Sequence, residues 1–121
     1  MREGFLVMIE QIIKRDGRTA PFELDKIANA IFGAAQSVGG QDYEMAHELA
    51  EQVEKELEKT VKEKIPTVEQ IQDTVETVLI ESGHARTAKK YILYRNERTR
   101  VREMNTRLMK VYEDLTFNSS I

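Results

Sequence analysis

Three breaks divide most of the sequence into four segments with helical periodicity, and this division constrains the fold more than any other feature. The breaks are Gly39-Gly40, Pro66 and Gly83, residue types that end or interrupt helices. Between the breaks, apolar residues recur every three or four positions, as on the buried face of an amphipathic helix. These positions are Ile27, Ala30, Ile31, Ala34, Ala35 and Val38; then Tyr43, Ala46, Leu49, Ala50, Val53 and Leu57; then Val68, Ile71, Val75, Val78 and Leu79; and finally Ala88, Tyr91, Ile92, Val101 and Met104. The pattern predicts four helices.

The ends of these helices and the segment before them complete the predicted fold. Thr67 and Gln70 are spaced as a capping box at the start of the third helix, and the second helix is expected to end between residues 61 and 64. Asp16-Gly17 separates two short extended segments, which predicts a hairpin with a two-residue turn and positive φ at both central positions. Residues 5–9 could add a third strand. The predicted class is α+β, mainly α: a four-helix bundle capped by a small N-terminal β-hairpin or three-stranded sheet.

Composition excludes several classes of function. The 121 residues include no Cys, which excludes disulfides, Cys-ligated zinc, iron–sulfur clusters and thiol chemistry. The sequence has no HExxH, GxSxG or GxxxxGK[ST] motif, and its two histidines, His47 and His84, fit surface or capping positions. No apolar run reaches the roughly 20 residues that cross a bilayer, and no cleavable signal is recognisable. We therefore expect one soluble cytoplasmic domain without catalytic residues.

Charge is distributed in blocks along the chain. Residues 42–81 carry twelve acidic and four basic side chains, net −8, whereas residues 84–110 carry nine basic and two acidic, net +7. The whole chain has a net charge of only −3. Such blocks most often form solvated faces or pair with each other within a domain. An anionic ligand is the alternative, and the charge pattern alone leaves both open.

Cations near the first helix favour an anion site. Lys14 and Arg15 stand at the hairpin turn, and Lys26 falls in the first helical turn, where the helix dipole disfavours positive charge. A phosphate over this helix N-terminus would accept backbone N–H groups and be neutralised by Lys14 and Lys26. The pattern is common on surfaces, so the spacing alone gives a hypothesis only.

Three ordered blocks resemble one family. Residues 13–27, 65–73 and 83–95 are similar to the successive motifs of the ATP-cone domain, and the resemblance covers about residues 10–100. It implies an ATP-cone nucleotide-binding domain at residues 1–100, followed by the end of the last helix and a linker at 101–121. ATP-cones are regulatory domains, found mainly in ribonucleotide reductases and in the repressor of their genes, that bind ATP or dATP, commonly with Mg²⁺.

The resemblance also implies roles for individual residues. Lys14 and Lys26 would hold phosphates, Arg15 would support the hairpin as a lid, and the remaining residues would surround the base and sugar or close the site. Thr67 and Tyr91 have equally good structural roles, as a helix cap and as a core residue, and the apolar members can be packing residues. The implied nucleotide site comprises Ile12, Lys14, Arg15, Phe22, Glu23, Lys26, Ile27, Thr67, Ile71, Gln72, Tyr91 and Arg95.

Within the family, residues 38–40 and 83–89 look most like the cone of anaerobic (class III) ribonucleoside-triphosphate reductases, and residues 108–117 resemble the connection toward the catalytic body. The resemblance implies that ATP or dATP controls a reductase through its oligomeric state. Without Cys the chain cannot reduce nucleotides, so we expect an excised or free-standing regulatory domain and no enzyme activity. The alternatives are a nucleotide-responsive DNA-binding or transcriptional-regulator module, motivated by the basic block, and a purely structural helical domain.

Overall fold

The computed structural model describes residues 9–61 and 65–118, which form four helices and a two-stranded antiparallel sheet. The α+β class is therefore confirmed. Residues 5–8 of the predicted third strand lie outside the described residues. The chain divides into two compact units, Met1–Tyr91 and Ile92–Ile121. The elements are β1 (Gln11–Ile13), β2 (Thr19–Pro21), α1 (Leu24–Gln36), α2 (Tyr43–Thr60), α3 (Val68–Glu81) and α4 (Ala85–Asn118).

The hairpin has a three-residue loop, so the predicted two-residue turn is wrong. Lys14 donates its backbone N–H to the Arg18 carbonyl at 2.7 Å, and Gly17 donates to the Lys14 carbonyl at 2.9 Å. Gly17, with φ 89°, supplies the left-handed residue that closes such a loop. Asp16 stabilises the loop by accepting the Arg18 backbone N–H at 3.0 Å. This hydrogen bond to the ionised carboxylate also lowers the pKa of Asp16.

The predicted ends of α3 are confirmed. Thr67 Oγ1 accepts the Gln70 backbone N–H at 3.1 Å, and Gln70 Oε1 accepts the Thr67 backbone N–H at 2.9 Å, which completes the capping box of α3. At the other end of α3, Gly83 has φ 85°, and the backbone N–H of His84 reaches the Leu79 carbonyl at 2.9 Å. This 6→1 hydrogen bond is that of a Schellman motif, which explains why a glycine ends the helix.

The apolar stripes of the first three helices form the core of the first unit. Ile31 of α1, Val53 and Leu57 of α2, and Val75 and Leu79 of α3 are almost completely buried. The start of α4 adds Ala88 and Tyr91 to the same cluster. The periodicity therefore identified most of the interior of this unit. Tyr43, which was predicted on the buried face of the second helix, is instead 38% exposed, because it is the first residue of α2 and its hydroxyl donates to Asn29 Oδ1 at 3.0 Å.

The second unit is the remainder of α4, and here one expectation fails. Val101 and Met104, predicted to face inward, are exposed. Periodicity identifies an apolar face of a helix, but it does not show whether anything covers that face. None of the described helices is both long and apolar enough to cross a membrane.

Glu54 on α2 offers a test of the electrostatics of the bundle. Partial burial, together with Glu58 and Glu51 on the same helix face, raises the pKa of Glu54. Because the folded state then holds the proton more tightly, stability falls as the pH rises from the usual Glu pKa through the raised value, and the full penalty is present at pH 7. We expect Glu54→Gln to raise the free energy of unfolding at pH 7 by about 0.5 kcal/mol, since it removes two like-charge contacts.

Urea denaturation at pH 7 and near pH 3.5 checks this effect, which should disappear at the lower pH because Glu54 is then protonated. Glu56→Gln is the matched control, since Glu56 is an exposed carboxylate of the same helix. A gain that is equal in the two variants, or that persists at low pH, would contradict this account of Glu54.

Candidate functional site

A cavity of about 250 Å³ lies between the hairpin, the first turns of α1, α3 and the start of α4. We call it the hairpin cavity. It brings together nine of the twelve residues implied by the resemblance, from four separate elements. The nine are Ile12, Lys14, Phe22, Glu23, Lys26, Ile27, Ile71, Gln72 and Tyr91. The lining is completed by Ala20, Pro21, Ala30, Val68 and Val75.

The inner part of the hairpin cavity is apolar. Ile71 and Tyr91 are buried members of the core, and Ile12, Phe22 and Ile27 are half-buried residues packed against that core. These side chains come from the hairpin, α1, α3 and α4, so the wall is a continuation of the bundle interior. An apolar wall with an aromatic side chain suits a flat ring system.

The rim of the cavity is cationic. Lys14 follows β1, and Lys26 lies in the first turn of α1; both side chains are exposed. Glu23 is the N-cap residue of α1, but its side chain accepts no hydrogen bond from the helix. It instead lies 3.8 Å from Lys26, as an exposed ion pair of little energetic consequence. Two ammonium groups thus share one rim beside the start of α1, and both the charges and the positive end of the helix dipole attract anions.

The hairpin is attached to the start of α3 by backbone and side-chain contacts. Ile13 donates its backbone N–H to the Pro66 carbonyl at 2.9 Å and forms a parallel bridge with Thr67. Arg15 pairs with Glu69 and donates from Nη2 to Gln72 Oε1 at 3.1 Å. These contacts hold one wall of the hairpin cavity against α3 without a ligand. Arg15 does not itself line the cavity.

Thr67 and Arg95 are the other two implied residues outside the lining. Thr67 caps α3, as the capping box predicted, and its contact with a base stays a prediction. Arg95 belongs to the second unit, so its place in the site also stays a prediction.

Sequence reasoning missed small lining residues such as Ala20 and Ala30. Both residues could have been predicted from their position relative to a proposed site residue. Ala20 pairs with Ile12 across the hairpin, and Ala30 lies one helical turn after Ile27 on the same face of α1.

We expect Thr67→Ala to lower the free energy of unfolding by about 1 kcal/mol, because α3 loses its side-chain cap. Thr67→Ser retains the hydroxyl and is the matched control. Thermal or urea denaturation measures both variants. Equal stability of Thr67→Ala and the unmodified chain would contradict the capping role.

A second cavity, of about 550 Å³, is larger but contains none of the twelve residues. It lies between the end of α1, the start of α2 and the α3–α4 junction, with Gly40 and His84 among its lining residues. Its Asp42 is engaged as the cap of α2, where it accepts the Met45 backbone N–H at 3.1 Å. The hairpin cavity is the better candidate site because it combines an apolar wall with two exposed lysines. Among the described residues, no cluster of three or more His, Asp or Glu could hold a metal ion.

Comparison with known proteins identifies a family and several relatives. The family model described as the ATP cone domain matches residues 10–100. A vitamin B12-dependent ribonucleoside-diphosphate reductase of Thermoplasma acidophilum is 45% identical over 113 residues, covering 89% of this chain and 14% of the relative. An anaerobic ribonucleoside-triphosphate reductase of Haemophilus influenzae is 36% identical over 110 residues, covering 91% of this chain and 15% of the relative.

A further relative, the ribonucleoside-diphosphate reductase subunit alpha of Treponema pallidum, is 38% identical over 96 residues, covering 75% of this chain and 11% of the relative. The chain thus spans between 11% and 15% of the length of these three relatives. The similarity is shared by reductases of different types and is confined to a small part of each.

Proposed function

Because the chain belongs to the ATP-cone family, we propose that it is a regulatory nucleotide-binding domain whose effector, ATP or dATP, binds in the hairpin cavity. The observation that carries this proposal is the position of Lys14 and Lys26 on the rim of a cavity whose inner wall is apolar. A nucleotide has the same division, with a flat base at one end and a chain of anionic phosphates at the other.

The size of the cavity supports a divided mode of binding. Its volume of about 250 Å³ is just below the range of roughly 300 to 1,000 Å³ usual for ligand pockets. The base and sugar would occupy the apolar part, against Ile12, Phe22 and Ile71. The phosphates would extend across the rim, where Lys14, Lys26 and the first N–H groups of α1 donate charge-assisted hydrogen bonds.

Gln72 is the polar group best placed to recognise the base. Its Oε1 accepts a hydrogen bond from Arg15 at 3.1 Å, and a guanidinium can only donate, so the carboxamide oxygen must face Arg15. The Nε2 group then remains as the donor that Gln72 offers to a ligand in the cavity. Ring nitrogens of adenine are acceptors that this donor would satisfy.

Mg²⁺ fits this site as a companion of the nucleotide. Magnesium usually retains several waters and is held by substrate phosphates with one or two carboxylates. Of the described residues that line the hairpin cavity, Glu23 is the one carboxylate, and it stands beside Lys26 on the rim. The protein would therefore contribute at most Glu23, and the phosphates would supply the remaining ligands and neutralise the charge.

The regulatory part of the proposal concerns a ribonucleotide reductase. The relatives are reductases, named either as whole enzymes or as the alpha subunit, and we infer that nucleotide occupancy of this domain controls the activity of such a body through its oligomeric state. An anaerobic reductase is the class suggested by residues 38–40 and 83–89, and this assignment rests on the sequence resemblance alone.

Calorimetric titration of the chain with ATP and with dATP, each with Mg²⁺, tests the proposed function. We expect saturable heat with one or both nucleotides and a weaker response to inorganic triphosphate, which offers phosphates without a base. No heat at millimolar nucleotide would contradict the assignment of an effector site.

A DNA-binding module is the second candidate, favoured by the exposed basic side chains of α4. These are Arg86, Lys89, Lys90, Arg98, Arg100, Arg102, Arg107 and Lys110. The chain as a whole has a net charge of −3, which opposes strong attraction to phosphate backbones. A gel shift at physiological salt distinguishes the candidates: tight DNA binding without nucleotide would favour this function over the effector site.

A further inference from the structure

The second unit carries an exposed apolar stripe that the proposed function does not use. The stripe consists of Val101, Met104, Leu108 and Val111, which we call the α4 stripe. Each of the four is between 40% and 60% exposed. Their spacings of three, four and three residues place all four on one face of the helix. A helix of this kind with an uncovered apolar face is typical of a protein contact.

The spacing of the four residues in the α4 stripe is the same whether the helix is followed from its N-terminus or from its C-terminus. Because the spacings are three, four and three, a second α4 running antiparallel places Val101 opposite Val111 of the second copy. Met104 then lies opposite Leu108, and each pair occurs twice. A twofold interface requires this self-complementarity, since the same patch must fit itself.

The charges beside the stripe favour the same orientation. Arg100, Arg107 and Asp114 are spaced by seven residues and so lie along one flank. In antiparallel pairing Arg100 would stand beside Asp114 of the second copy, twice per dimer. In parallel pairing the flanks would bring Arg100 beside Asn105, and Arg107 beside Tyr112, so no opposite charges would meet.

The structure of α4 makes Arg100 available for such a contact. Its guanidinium donates from Nη2 to Glu97 at 2.7 Å, which uses one of its five N–H groups. Arg107 would face Arg107 of the second copy at the centre of the antiparallel pair, which weakens the association. The α4 stripe also extends over only about three turns of helix, so we expect the interface to be small and the association to be weak and transient.

From these observations we propose that the α4 stripe is a self-association surface through which two copies of the chain pair antiparallel. This interface lies entirely within Ile92–Ile121 and does not depend on the nucleotide site. It forms at high local concentration, as when two copies are held in one assembly.

Sedimentation velocity of the full chain, from about 5 µM to about 500 µM, tests the proposal, because weak complexes populate in this range. We expect a concentration-dependent monomer–dimer equilibrium that Leu108→Glu weakens at least tenfold. Thr106→Glu is the matched control: it adds the same charge to the opposite face of α4 and should leave the equilibrium unchanged. Far-UV circular dichroism verifies that both variants remain helical.

A charge exchange tests the orientation. Arg100→Glu alone should weaken the dimer at least threefold, because it would meet Asp114 of the second copy. The double variant Arg100→Glu/Asp114→Arg should restore the unmodified equilibrium within twofold. A chain that is monomeric at every concentration, a dimer that resists Leu108→Glu, or single and double charge variants with the same affinity would each overturn the proposal. Binding of a different protein to the α4 stripe of a chain that remains monomeric would also overturn the proposal, because the stripe would then be the contact surface for that protein.

Discussion

The double variant Lys14→Ala/Lys26→Ala is expected to weaken ATP binding at least a hundredfold. The two lysines come from different segments and line the same rim of the hairpin cavity. Each would hold a phosphate group through a charge-assisted hydrogen bond, and such bonds contribute roughly 1.5 to 3 kcal/mol. Loss of about 1.4 kcal/mol at each position corresponds to a tenfold loss for each single variant.

Lys55→Ala/Lys59→Ala is the matched control for this experiment. It removes the same charge from α2 in the same unit, at exposed positions outside the hairpin cavity. Calorimetry should show binding within about threefold of the unmodified chain for this control, since distant exposed charges are largely screened at physiological salt. Equal affinities of the two double variants would place the phosphates elsewhere.

Leu79→Ala is expected to lower the free energy of unfolding by about 3 kcal/mol. Leu79 of α3 is 0% exposed and belongs to the core that joins the first three helices with the start of α4. Truncation removes apolar contacts and leaves a cavity, and buried Leu→Ala changes cost about 2 to 5 kcal/mol. This is a large part of the roughly 5 to 15 kcal/mol that stabilises a typical domain.

The neighbouring residue supplies the control for Leu79. Ile80 follows it on α3 but is 55% exposed, so Ile80→Ala should cost less than about 1 kcal/mol, as expected of a surface substitution. Urea denaturation of both variants, analysed with a common slope, measures the difference. Similar losses at the two positions would contradict the assignment of Leu79 to the core.

Local signals in the sequence accounted for most of the fold. The capping box at Thr67 and the glycine at residue 83 act through hydrogen bonds within a few residues, so their effects do not depend on distant contacts. The position of the turn at Asp16-Gly17 was predicted correctly, but its length was not, because the loop has three residues instead of two. Its loop length depends on the register of the strands and on the Asp16–Arg18 hydrogen bonds, which a dipeptide pattern does not specify.

The candidate site was less accessible to reasoning from the sequence. Charge and helix position pointed to Lys14 and Lys26, because a cation at a helix start calls for an explanation. The apolar wall could not be separated from ordinary core residues, since Ile71 and Tyr91 belong to both. Their shared cavity arises from contacts between distant segments. The exposure of Val101 and Met104 was also missed, because the spacing of apolar residues in the sequence is the same whether or not another element packs against that face of the helix.

The most direct test of the central claim is mapping of ATP binding by NMR, using backbone amide shifts of the isotopically labelled chain. If ATP binds in the hairpin cavity, the largest shifts will occur at Lys14, from Phe22 to Ile27 and at Gln72. Amides around Gly40 and His84, in the second cavity, will change little. The largest shifts around Gly40 and His84, or no shifts at saturating ATP, would contradict the account.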